Sequence, residues 1–177
     1  MKQVKLTKKL KCYTILSTIF TIILGSLLHF TYKWSGENDF VALFSAVNES
    51  TWEHLKLLFV PMFLFTLWEY TKLGTQYSNY VISKALGILA GLITIPILFY
   101  GYTKILGTHY LLLDIVIFLL GVIVSHFISY FLMSNGSLSG KYYQLLGGIL
   151  LILLAMSFLW FTFYPPNLTI FEIPNAS

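Results

Sequence analysis

Asn48-Glu49-Ser50-Thr51-Trp52-Glu53-His54-Leu55-Lys56 sets two acids, a histidine and a lysine side by side in a chain that is only 10% charged and 57% hydrophobic. The run leads into an apolar stretch, Leu57 to Trp68, interrupted only by Pro61. Ser50-x-x-Glu53, or Asn48, supplies the oxygen that satisfies free amides at a helix start. The run therefore reads as the opening of a helix within an apolar protein, where ionisable groups are costly and are functional or mutually paired. Whether this helix crosses the bilayer decides the fold. Its apolar core is only twelve residues long, and Pro61 removes one rung of its hydrogen-bond ladder. A segment that short could instead be re-entrant.

The rest of the chain frames the question. Mean hydropathy is +0.78, and several stretches are long and uncharged enough to cross ~30 Å of hydrocarbon. The composition implies an integral membrane protein: an all-α helical bundle forming a single domain over 1–177. Spans are expected at about 12–32, 50–70, 82–102, 109–132 and 143–164. With five spans and the N-terminus inside, Lys2, Lys5, Lys8, Lys9, Lys11, Lys72, Lys84 and Lys141 face the cytoplasm, and only Lys33, Lys56 and Lys104 lie outside. If the second segment does not cross, the split falls to six against five. The positive-inside rule favours about five spans, N-in and C-out. Trp34, Trp52, Trp160 and Tyr164 then form an outer aromatic belt, with Trp68, Tyr70, Tyr77, Tyr80 and Tyr142 as the inner one.

Several classes are excluded. The basic residues are scattered at span ends rather than arranged as a stripe, which argues against nucleic acid. One cysteine, Cys12, allows no internal disulfide. The N-terminal lysines precede an apolar run too long for a signal peptide, with no small-x-small cleavage site, so a retained first helix is expected. Gly87-x-x-x-Gly91 and Gly121-x-x-x-Ser125 let helix backbones approach closely. The tail 165–177, opening with Pro165-Pro166, is expected to be extended and exposed outside.

This topology gathers ionisable groups into an outer layer. His29 lies in the last turn of the first span, and Glu49, Glu53, His54 and Lys56 lie at the start of the second. His109 opens the fourth, with Asp114 about 7 Å deeper. Glu49 and Glu53 are four apart and share a helix face, while Lys56 can pair with Glu53. At the inner side Glu69 and His126 reach similar depths and could meet.

Three readings compete for the outer layer. A Glu–Lys–His hydrogen-bond network tying span ends together needs no ligand. A binding or permeation site would use Glu49, Lys56, Asp114, Glu69 and His126 to hold or pass a small ligand, proton or cation. A metal-dependent, hydrolase-like enzyme would use His29, His54 and His109 for zinc or another divalent cation, with Glu53 and His54 as catalytic groups and Glu49 or Glu53 as general base. No zincin spacing is present. A transport or ligand- and ion-binding component ranks ahead of the enzyme, and a subunit role beside a membrane-protein partner remains open.

The run 48–56, with Phe44 before it and Phe59-Val60-Pro61 after it, resembles the signature of an uncharacterised family of small bacterial multi-pass membrane proteins. Phe161-Thr162-Phe163-Tyr164-Pro165-Pro166 resembles that family's exit from its last helix, whereas Asn167 to Ser177 diverges from its tail. The resemblance implies a bacterial cytoplasmic membrane, the same span count, and Glu49, Glu53 and His54 as positions to watch. It implies no substrate.

Overall fold

The computed structural model describes residues 2–174. Five long helices account for most of them: α1 (Lys2–Trp34), α3 (Thr51–Glu69), α4 (Tyr80–Leu106), α5 (Leu111–Asn135) and α6 (Lys141–Phe163), with a single short turn, α2 (Asp39–Ala42), between the first two. The segment Thr7–Trp34 of α1, and all of α4, α5 and α6, are long and apolar enough to cross a membrane. The protein is an all-α membrane bundle of about five spans.

The exception explains the others. Thirteen of the nineteen residues of α3 are buried, and α3 packs on α1, α4, α5 and α6. Its charged residues meet protein rather than lipid, so a long unbroken apolar run is not needed there. At 1.5 Å per residue it extends about 28 Å, and a π-helical turn (Tyr70–Gly74) carries it further. In α6 only Gly147, Leu151 and Phe158 are buried.

Local chemistry sets the helix ends. Asn38 caps α2 by accepting the Phe40 amide, and Ser50 caps α3 by accepting that of Glu53 at 3.4 Å. Gly107 and Gly136 close α4 and α5 at φ 78° and 65°, a left-handed conformation that glycine adopts without steric cost. The two small-residue motifs meet each other. A Cβ on Gly87 would overlap Ser129 Oγ, and one on Gly91 would overlap Ser125 Oγ and come 2.7 Å from Gly121 O.

Four details depart from the sequence reading. His109 precedes α5 instead of opening it. Trp52 is not a belt residue: its ring packs on Phe158, Phe161 and Phe171 at 4.7–5.5 Å. The tail is not simply extended, because a 3₁₀ turn (Thr169–Phe171) folds back over α3 and Tyr100 donates to Thr169 O at 3.2 Å. Tyr80 is fully buried, whereas Trp34, Trp160, Tyr142 and Tyr164 remain exposed as belts require.

Candidate functional site

The face where α1 ends and α3 begins is built around Ser45. Its hydroxyl accepts from the Tyr32 amide and Thr31 Oγ1, both at 3.0 Å, and donates to Leu28 O. This anchors the connecting segment against the last turns of α1. Asn48 Oδ1 accepts the Ser50 amide at 2.9 Å, a tight local turn that leaves Glu49 projecting between the helices.

Glu49 lies before the helix proper, so it does not share a face with Glu53. The two acids go to different places. Glu53 turns inward: its Oε2 is 2.5 Å from Lys56 Nζ and accepts the Val47 amide at 2.9 Å. Lys56 also donates to Ala42 O and Thr162 Oγ1, each at 2.9 Å, which places all three ammonium hydrogens. Both residues are buried.

Glu49 turns outward. Its Oε2 is 3.4 Å from His54 Nε2, and Lys33 Nζ is 4.0 Å from its Oε1. The ring of His29 lies 5.1 Å from that of His54. Among the described residues, His29, Glu49 and His54 form the one group of three metal-binding side chains whose donor atoms all lie within 4.8 Å of one another. His54 Nδ1 is 2.8 Å from Ser50 O. A carbonyl can only accept, so Nδ1 carries a proton. Nε2 faces a carboxylate, which also only accepts, so without a metal Nε2 is protonated too and donates to Glu49, and a bound metal would take the place of that proton. Fixing one ring nitrogen so that the other can coordinate is the usual support of a metal-binding histidine. His29 Nδ1 is out of water and has no hydrogen-bond partner. The hydrogen bond from His54, reinforced by the nearby charges of His54, His29 and Lys33, holds the Glu49 carboxyl down at about 2, against a smaller opposing effect of burial.

The remaining sequence candidates fall elsewhere. His109 stands outside the convergent group: its Nδ1 is 3.1 Å from Asp114 Oδ2, and Tyr102 closes Asp114 Oδ1. Tyr102 in turn accepts the Tyr110 amide at 3.0 Å. The expected triad of histidines is thus replaced by two histidines and Glu49. Glu69 and His126 do not meet as a pair. Glu69 is bound by Lys84 and lies 3.0 Å from the Tyr80 hydroxyl, whereas His126 Nε2 is 2.9 Å from Ser17 Oγ. Lys84 and Tyr80 were not singled out from the sequence, since both sit at an apparent span end where snorkelling or a belt role is expected.

Residues 1–175 match the family described as "Family of unknown function (DUF6512)". The chain belongs to this family. No curated protein and no solved structure matches it. The match covers every residue of the site, the two buried ion pairs and all but the end of the tail.

Proposed function

We propose that this DUF6512 member is a multi-pass protein of the bacterial cytoplasmic membrane that binds a divalent transition-metal ion, zinc first, at its outer face. His29, Glu49 and His54 are the ligands, and the protein acts as a transport or ion-binding component. The convergence of three donor atoms from α1, the connecting segment and α3 carries this reading. Two imidazoles and a carboxylate suit zinc and leave a fourth position for water or a transferable ligand. Orientation follows from the lysines: eight on the side of the N-terminus against three on the side of His54.

The binding reading is preferred over the enzyme because, of the two acids that could serve as general base, Glu53 is buried against Lys56 and the Val47 amide and Glu49 is needed as a ligand. The test is metal content and zinc titration of protein purified in detergent. The expected result is one zinc per chain, lost in H54A and E49A. Absence of zinc binding in wild-type protein, or wild-type binding in both variants, would end the reading.

A further inference from the structure

Pro61 has no amide hydrogen, so the carbonyl of Leu57, four residues earlier, loses its helical donor. That carbonyl faces α1 at Gly25. A Cβ there would overlap Leu57 O and come 2.9 Å from Phe118 Cζ, so α1, α3 and α5 meet at this point. His29 lies one turn outward from Gly25 along α1. One and two turns inward, on the same face, come Thr21 and Ser17, both buried. Ser17 Oγ reaches His126 Nε2 at 2.9 Å, and His126 Nδ1 is held by Val122 O at 2.9 Å.

The inner half of this seam has too many unanswered polar atoms. Thr21 Oγ1, Thr66 Oγ1, Glu69 Oε1 and Ser83 Oγ are all out of water without a partner in the protein. Each belongs to a residue at most 4% exposed. Glu69 and Lys84 form a fully buried ion pair, with Tyr80 bridging Glu69 Oε2 and Thr66 O. Lys84 lies one turn before Gly87, where α4 packs so closely on α5 that a Cβ would overlap Ser125 O and Ser129 Oγ, on either side of His126 in the chain. Buried polar groups that find no protein partner are normally satisfied by ordered water, and an internal water needs two to four such partners. Ionisable groups inside a bundle, paired and linked by hydroxyls, mark proton and ion pathways.

We propose that the interior between α1, α3, α4 and α5 is a hydrated proton path, running from Glu69 and Lys84 past His126, Ser17 and Thr21 to the freed Leu57 carbonyl beneath His29. Along it a proton moves by exchange: each water or hydroxyl accepts one proton and releases another, with no net bond change. His126 takes the proton at Nε2, becomes imidazolium, and returns it from the same nitrogen, because Nδ1 stays bound to Val122 O. The ring is held by Ser17 from α1 at Nε2 and by Val122 O of its own helix at Nδ1, and the charged groups of the inner cluster are Lys84 from α4 and Glu69 from α3, which pair with each other. The path does not depend on a metal at the outer site.

The experiment is dissipation of an imposed pH gradient in proteoliposomes, read by an entrapped pH-sensitive dye with potassium and valinomycin clamping the voltage. Wild-type protein is expected to dissipate the gradient well above protein-free vesicles. H126Q, which keeps size and hydrogen bonding but cannot titrate in this range, and T21V should each lose most of that flux while retaining the wild-type unfolding temperature. In a C12S background, T21C should react with a small membrane-impermeant thiol reagent. Wild-type flux equal to that of empty vesicles, full flux in a folded H126Q, or an inert T21C would each overturn the proposal. Zinc measured on the same samples separates the two claims: zinc without flux removes the path alone, and flux without zinc removes the metal site alone.

Discussion

Glu49 and Glu53 are four residues apart and have opposite fates. Glu53 is 3% exposed and locked to a lysine whose three hydrogens all have acceptors. Glu49 is 54% exposed, beside two histidines, with its nearest ammonium at 4.0 Å. A carboxylate buried against an ammonium is neutralised and out of reach of a ligand arriving from outside. One held loosely between imidazoles keeps it. Charge in an apolar chain therefore does not by itself mark a site; the way the charge is satisfied does.

The comparison breaks most visibly on the Glu53 side. Lys56→Met leaves Glu53 buried and unpaired, and should lower stability by about 3–5 kcal/mol, read as a large drop in unfolding temperature in detergent. The double substitution E53Q/K56M should recover much of that loss. A K56M protein as stable as wild type would mean that the pair is not the anchor described here. Next comes the junction of α1 with α3. Gly25→Leu forces a side chain onto Leu57 O and Phe118 and should cost about 1–3 kcal/mol or more through overpacking, whereas Gly101→Leu, with open space around it, should change little.

On the Glu49 side the stability effects are small. His54→Ala should abolish zinc binding yet shift stability by no more than about 1 kcal/mol, as expected for partly exposed ion pairs. A thermal scan alongside zinc titration reads both. The smallest effect is on pH. Because the folded Glu49 carboxyl sits at about 2, below its ordinary 4.5, its ionised form stabilises the fold. That contribution is complete above about 4.5 and fades as pH falls toward 2. Wild type should therefore exceed E49Q slightly in unfolding temperature at pH 6, with the margin closing by pH 2. A margin that grows on acidification would contradict the Glu49–His54 contact.

Much of the bundle was legible because lipid imposes simple rules. Uncharged runs of span length give α4, α5 and α6 within about four residues of their ends, and the C-terminal end of α1, whose lysine-bearing first turns extend the helix ten residues before the expected start. The second helix was harder. Its twelve-residue apolar core looks too short because hydropathy assumes a lipid-facing helix, and α3 is enclosed by protein. The run 48–56 pointed to the region of the site, and the pairing of Glu53 with Lys56 follows from their three-residue spacing. The position of Glu49 does not: it precedes the helix, where i,i+4 reasoning fails, and its approach to His29 depends on the Ser45 contacts with α1 atoms thirteen to seventeen residues away. The Glu69–Lys84 pair was also hidden, since each residue alone looks like an ordinary span-end charge.

The most direct test of the account is the X-ray absorption spectrum of zinc-loaded protein at neutral pH. The predicted result is zinc bound to two imidazole nitrogens at about 2.0–2.1 Å and carboxylate or water oxygen at about 2.0–2.2 Å, with one imidazole lost in H54A. Zinc that stays fully hydrated, or a spectrum unchanged by H54A, would contradict a metal site at His29, Glu49 and His54.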